Sequence, residues 1–166
     1  MNDFKTDAEL ARKGDTEAFS RLYSMVYKEM YHTALYNLRS SHDAADAVSD
    51  AVADAFETIG KLKDAQAFRA WIMKILFTKI KKRQKEYMKS NSQQDETVYT
   101  DDFNFSSSEL KEALESLDDQ SRAILSLSVL GGYKSMEIAQ ISGMKASAVR
   151  SKLSRVKSQL RLKLCE

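Results

Sequence analysis

Residues 134–159 read KSMEIAQISGMKASAVRSKLSRVKSQ, and this stretch decides the fold of the C-terminal part of the chain. It predicts two helices around a short turn at Gly143, because glycine readily takes the left-handed backbone that such a turn requires. Ala139 is small enough to let the second helix cross close to the first, and Val149 can fill the crossing point from the other helix. This small–glycine–branched spacing is typical of a helix-turn-helix.

Positive charge is concentrated on the second of these helices. From Lys145 to Lys163 the sequence has seven Lys or Arg and no Asp or Glu. Such a helix suits the groove of DNA, whose phosphates attract cations. An ordinary helical hairpin with a solvated basic face is the alternative, and charge and packing together favour DNA binding over it.

The composition predicts an all-α protein. Hydrophobic residues make up 43% of the 166 positions, proline is absent and there are only five glycines. Alternating strand patterns are hard to find. The single cysteine, Cys165, excludes an intramolecular disulfide and fits a cytoplasmic location. The N-terminus lacks the apolar run of a signal peptide, and no stretch approaches the roughly 20 apolar residues of a membrane span.

The net charge of +2 hides a strong segregation of charge along the chain. Residues 42–57 hold five acids and no Lys or Arg, whereas residues 74–89 hold seven Lys or Arg and one acid. Residues 91–108 hold four acids and no base. The acids of 42–57 are three or four residues apart, so they form one stripe on a helix. We therefore expect two kinds of partner, one anionic and one basic.

The order of helical patterns predicts two small helical domains, at 1–89 and 107–166, joined by a flexible linker at 90–106. The linker is polar, serine-rich and without periodicity. Apolar periodicity predicts helices in the first domain at about 7–13, 16–39, 42–59 and 67–88. In the second domain it predicts helices at about 109–116 and 119–130 before the helix-turn-helix.

Catalytic and metal chemistry find little support. The only two histidines, His32 and His42, have no cysteine near them and lack convincing metal-ligand spacing. There is no P-loop and no dinucleotide fingerprint. We therefore expect no enzymatic activity, no cofactor and no metal. Two other classes remain open: an autonomous regulator that binds duplex DNA, usually as a dimer, and an interaction module that grips a protein through the acidic helix.

A series of short motifs and single residues extends through both domains. They are Lys13-Gly14-Asp15, Ala18-Phe19, Asp43, Asp46, Val48, Phe56, Ala67-Phe68-Arg69-Ala70-Trp71-Ile72, Ile75, Leu117, Gly132, Glu137-Ile138-Ala139, Ala148-Val149-Arg150-Ser151 and Arg155. With this order and spacing the chain resembles an extracytoplasmic-function sigma factor, the small two-domain specificity subunit of bacterial RNA polymerase.

The resemblance implies an alternative sigma factor that binds core RNA polymerase and directs it to specific promoters. The helix that carries Asp43, Asp46, Asp50 and Asp54 is then expected to dock on the clamp of the largest polymerase subunit. The family commonly has a membrane-linked anti-sigma partner, so the resemblance implies an anti-sigma factor here as well.

The resemblance also divides the promoter contacts between the two domains. The loop 62–66 is expected to capture an unpaired base of the −10 element, with polar contacts from Asp64 and Gln66. The helix after it would add Lys74, Thr78, Lys81 and Lys82. At the −35 element the expected residues are Lys145, Ser147, Arg150, Ser151, Lys152, Ser154 and Arg155. The helical spacing of Trp71 with Phe68 and Ile72 predicts a core position rather than a stacking platform.

Overall fold

The computed structural model describes residues 4–90, 112 and 115–164, and within these residues it is helical with no strand. The chain divides into two compact units, Met1–Glu96 and Thr97–Glu166. The predicted all-α, two-unit architecture is confirmed. Most of the predicted linker and most of the helix predicted at about 109–116 lie outside the described residues. No helix in the described part of the chain is long and apolar enough to cross a membrane.

Within residues 4–90, the first unit is built from four α-helices. Two 3-10 turns, Ile59–Lys61 and Ala65–Ala67, connect the third helix to the fourth. The helices are α1 (Phe4–Arg12), α2 (Thr16–Leu38), α3 (Ser41–Thr58) and α4 (Phe68–Ser90).

Polar caps set where two of these helices begin. The Asp15 carboxylate accepts hydrogen bonds from the backbone N–H groups of Glu17 and Ala18 at 3.0 and 3.1 Å, so α2 starts after it. Ser40 Oγ accepts the N–H of Asp43 at 3.2 Å and starts α3 in the same way. These caps explain why the predicted starts of both helices agree with the structure to within a residue.

The core of the first unit lies where α2 and α4 pack on α3. The side of α3 that faces them is a row of fully buried alanines, which lets both neighbours approach closely. The largest buried side chains around that row are Leu22, Met30, Leu35, Leu38, Phe68, Ile72, Met73, Leu76, Phe77 and Ile80, and the alanines are Ala44, Ala47, Ala51 and Ala55.

Two aromatic residues depart from the predicted core. The helical spacing of Phe56 with Val52 and Ile59 predicts a place in the apolar stripe of α3, but Phe56 is 50% exposed, and its ring makes an edge contact with that of Phe19, with ring centroids 5.2 Å apart. Trp71 was also expected in the core, but it is half-buried, with its ring 6.0 Å from that of Phe68. Both side chains lie at the margin of the buried face, where helical periodicity alone does not say whether a neighbour covers them.

The second unit contains the predicted helix-turn-helix. Its described helices are α5 (Asp119–Val129), α6 (Ser135–Ser142) and α7 (Ala146–Leu164). Gly143 has φ 79° and donates its N–H to Ala139 O at 2.9 Å, which closes α6 with the left-handed turn expected of it. Val149 is fully buried with Ile124 and Ile138, so it fills the crossing of the two helices as predicted.

Candidate nucleic-acid and polymerase interfaces

The outer face of α7 carries most of the residues expected at the −35 element. The helix packs inward through Val149 and Val156, which are 0% and 2% exposed. At about 100° per residue, the opposite side is a row of exposed serines with an exposed arginine on each flank. We call this surface the serine–arginine face, and it consists of Ser147, Arg150, Ser151, Ser154 and Arg155.

The arrangement of side chain lengths on the serine–arginine face suits a helix in a DNA groove. Short hydroxyl side chains occupy the middle, where the floor of the groove would approach. Long cationic side chains lie at the edges, where backbone phosphates run. Lys145 is exposed just before the helix. Lys157 and Arg161, also exposed, lie about two and about three turns beyond Arg150 on the same flank. Their spacing of seven and eleven residues from Arg150 could have identified them from the sequence.

Lys152, although predicted at the −35 element, lies outside the serine–arginine face. Its Nζ donates to Gln120 Oε1 at 2.7 Å and lies 3.7 Å from Asp118 Oδ2, and its side chain is 20% exposed. Asp118 is also the N-cap of α5, where its Oδ1 accepts the N–H of Ser121 at 2.8 Å. Hydrogen bonds from Ser121 lower the pKa of Asp118, and the nearby Lys152 ammonium adds a smaller effect. Lys152 therefore ties α7 to the start of α5.

The second DNA-facing candidate is a basic face of α4. Lys74, Thr78, Lys81 and Lys82 are all exposed, and helical geometry places them within about one third of the circumference. They lie opposite the buried side of the helix. The structure thus brings the four predicted residues of α4 together. Two exposed lysines that the prediction left out continue the row, so the lysine face consists of Lys74, Thr78, Lys81, Lys82, Lys85 and Lys89.

In the loop before α4, every third side chain is buried and anchors the loop. Ile59, Leu62, Ala65 and Phe68 are buried, and the residues between them are exposed. A 3-10 turn has three residues per turn, so every third side chain points the same way. Helix α1 packs against both turns and the start of α4, and it supplies the surface on which these side chains rest.

The exposed side of the same loop is polar and positively charged at its start. Asp64 and Gln66 are both exposed, and Asp64 Oδ1 accepts the N–H of Gln66 at 3.0 Å, which holds the turn in shape. Lys61 and Lys63 are exposed in front of them and were missed by sequence reasoning. The loop can therefore offer amide and carboxylate contacts to a base edge beside two cations for the backbone.

The acidic row of α3, which consists of Asp43, Asp46, Asp50 and Asp54, is paired with α4. Arg83 lies in the middle of the row. Its guanidinium nitrogens are 3.5 Å from Asp43, 3.8 Å from Asp46 and 3.4 Å from Asp50. One cation thus reduces the repulsion among three carboxylates that share one helix face. The sequence predicted the row itself and did not predict this internal counter-ion.

Further contacts complete the pairing of the acidic row. Lys79 Nζ forms an ion pair with Asp54, and the Tyr87 hydroxyl donates to Asp43. The side chains of Asp46, Asp50 and Asp54 nevertheless remain 47%, 58% and 49% exposed. The row is therefore held in place on its inner side and open to a basic partner on its outer side.

One group in the described part of the chain has the composition of a metal site. Ligand atoms of His42, Asp43 and Asp46 lie within 4.8 Å of one another, with His42 Nε2 3.4 Å from Asp46 Oδ2. The Arg83 guanidinium already faces both carboxylates and would repel a further cation. We assign no metal to this group.

Comparison with known proteins assigns both units. The model of Sigma-70 region 2 matches residues 19–87, and that of Sigma-70 region 4 matches residues 107–160. RNA polymerase sigma factor SigV of Bacillus subtilis is 23% identical over 141 residues, which are 82% of this chain and 85% of that protein. ECF RNA polymerase sigma factor SigM of Mycobacterium tuberculosis is 25% identical over 163 residues, 94% and 83% of the two chains.

Solved structures share the fold. CnrH, in complex with the cytosolic domain of CnrY, matches with a TM-score of 0.74 at 21% identity, over 97% of this chain and 96% of that one. The sigma factor RpoE of Bartonella quintana, in complex with the anti-sigma factor NepR, matches with a TM-score of 0.72 at 22% identity, over 88% and 96%. With regions 2 and 4 both present, the chain belongs to the sigma-70 family as an extracytoplasmic-function sigma factor, a non-enzymatic subunit that directs RNA polymerase to promoters.

Proposed function

We propose that three separate surfaces of the protein bind the polymerase, the −10 element and the −35 element. The acidic row of α3 docks on the clamp of the largest polymerase subunit. The loop 62–66 and the lysine face of α4 hold the −10 element after the strands separate. The serine–arginine face of α7 meets the −35 element as duplex. In this assignment residues 1–89 form the docking and −10 domain, residues 90–106 the linker and residues 107–166 the −35 domain.

The observation that carries this assignment is that the two cationic surfaces differ in build. The serine–arginine face is one continuous side of a helix, which fits a duplex groove. The surface of the first unit instead joins a polar loop to a row of lysines, which fits a single strand that needs contacts to both base and backbone. A protein that binds only duplex DNA would not require the second surface, which consists of the loop and the lysine face.

Cations of α4 partly neutralise the acidic row, and this arrangement supports the docking role. Arg83 and Lys79 hold the carboxylates from the inner side, so the row keeps a fixed shape when no partner is present. The exposed outer oxygens of Asp46, Asp50 and Asp54 can still pair with basic groups of a partner. Complementary charge of this kind orients a complex and speeds its formation.

We also propose that an anti-sigma factor holds this protein inactive in the cytoplasm. The matched structures of CnrH and RpoE were both determined as complexes, with the cytosolic domain of CnrY and with the anti-sigma factor NepR. By analogy, the partner of this chain would bind from the cytoplasmic side, and it is anchored in the membrane if it follows the common pattern of the family.

Transcription with purified core polymerase tests the proposal directly. The chain is mixed with core enzyme and a library of randomised promoter fragments, and the transcribed sequences are recovered. The proposal predicts enrichment of a two-part promoter with separate −35 and −10 elements. If the chain instead binds duplex DNA as a dimer and leaves the start sites of core enzyme unchanged, it acts as an autonomous regulator.

A further inference from the structure

The first turn of α4 is held to α2 by a two-pronged ion pair. Arg69 Nε donates to Glu29 Oε2 at 2.9 Å, and Arg69 Nη2 donates to Glu29 Oε1 at 2.8 Å. The Glu29 side chain is 17% exposed and that of Arg69 is 35% exposed. A planar guanidinium that meets a carboxylate at two points fixes orientation as well as distance. The pair therefore sets the angle at which α4 leaves the preceding loop.

Arg69 occupies a position that its own helix disfavours. It is the second residue of α4, where the helix dipole presents its positive end. A cation in the first turn weakens a helix unless an anion compensates it, and Glu29 supplies that anion from α2. Arg69 by itself thus does not stabilise α4 as a helix. Its contribution is the geometry of its contact with α2.

The Arg69 end of the pair follows directly in sequence on the loop that would face the −10 element. Asp64 and Gln66 are only a few residues before Arg69 in the sequence. The contacts of this segment with α1 include apolar ones, such as the ring of Phe4, 6.0 Å from that of Phe68. Apolar contacts hold a segment down but are not directional. The ion pair adds the directional constraint.

We propose that Glu29 and Arg69 are positioning residues for the capture of the unpaired −10 base. They set the angle at which the loop presents Asp64 and Gln66, without touching DNA themselves. This inference rests on the proposed function of the loop 62–66.

The test uses holoenzyme and a promoter selected from a randomised library by the wild-type protein. The probes are a fluorescent single strand that carries the non-template −10 sequence and copies with one abasic site at each position. The ratio of the affinities for the intact and the abasic strands reports base capture at that position. A change that only weakens the fold lowers both affinities together and leaves the ratio unchanged.

Two single variants and a charge swap probe the pair. Arg69→Lys keeps the charge but loses the two-pronged geometry, and Glu29→Gln keeps the shape but loses the charge. Each should lower the ratio roughly tenfold, the equilibrium effect of one charged hydrogen bond. The double variant Glu29→Arg with Arg69→Glu restores the contact and should recover a large part of the ratio. Glu9→Gln, which neutralises an exposed carboxylate on α1, serves as the matched control.

Binding to core enzyme and to the −35 duplex should be the same for all of these proteins. If the wild type shows no sensitivity to any abasic site, or if Gln66→Ala and Asp64→Ala have no effect, the proposed role of the loop is wrong and the positioning role falls with it. If the loop variants lose the ratio while Arg69→Lys and Glu29→Gln keep it, the loop role stands and the positioning role is refuted.

Discussion

Lys152 and Arg150 lie two residues apart on α7, yet the structure predicts different effects when each is replaced by glutamine. Arg150 is exposed on the serine–arginine face, whereas the Lys152 ammonium is already paired with Gln120 and Asp118. Only a cation that neutralises a phosphate on binding releases counter-ions, so only Arg150 should contribute to the salt dependence of promoter binding.

The size of the effect follows from counter-ion release. Each neutralised phosphate adds about 0.9 to the slope of log affinity against log salt concentration. Arg150→Gln should therefore lower the slope by about 0.9. Over a fourfold rise in salt concentration, the loss of affinity should be about 3.5-fold smaller for the variant than for the wild type. Lys152→Gln should leave the slope unchanged. Loss of its partly exposed ion pair should destabilise the second unit by roughly 0.2–1 kcal/mol, seen as a lower unfolding temperature.

The assay is fluorescence anisotropy of holoenzyme on a labelled −35 duplex, titrated at several salt concentrations. Lys28→Gln, at an exposed lysine of α2 in the other unit, is the matched control for loss of one charge. A slope that falls by about 0.9 for Lys152→Gln would mean that Lys152 leaves Asp118 and contacts a phosphate. The separation of Lys152 from the DNA-facing surface would then be refuted.

Three further predictions address stability and docking. Val149→Ala should destabilise the second unit by roughly 1–3 kcal/mol through a cavity at the helix crossing, and pull-down should show that binding to core enzyme survives. Arg83→Gln should lower the melting temperature of the first unit. It should also raise the rate of association with core enzyme at low salt, because the acidic row becomes more negative. Stopped-flow rates equal to those of the wild type would argue against docking through the row. The lowered pKa of Asp118 contributes stability that is complete above the ordinary value of 3.8 and is lost as the pH falls through the lowered value. Asp118→Asn should therefore weaken the loss of stability in acid, as measured by urea unfolding at a series of acidic pH values.

The helix-turn-helix was predictable because its signals are local. Gly143, Ala139 and Val149 lie within one short stretch, and each requirement of the turn and the crossing falls on a particular residue type. The caps at Asp15 and Ser40 are local in the same sense, since each side chain bonds to a backbone group two or three residues away.

Contacts between distant parts of the chain were not predictable in this way. The acidic row follows from spacing, but its counter-ion Arg83 is 33 residues beyond Asp50, and nothing local indicates which face of α4 turns towards α3. Arg83 and the lysines of the basic segment 74–89 therefore looked alike in the sequence, although some of them pair internally and others face solvent. Lys152 illustrates the same limit, because its partner Gln120 is 32 residues away. The roles assigned to individual site residues remain predictions.

The alanine row of α3 has a consequence for engineering polymerase specificity. Ala44, Ala47, Ala51 and Ala55 are fully buried, and a larger side chain at any of them would cost roughly 1–3 kcal/mol through overpacking. The outer carboxylates occupy different positions of the same helix and are about half exposed. Under the proposed docking role, the outer positions can be changed to match another partner surface while the inner alanines are kept, and libraries that vary only the outer positions should yield mostly folded proteins.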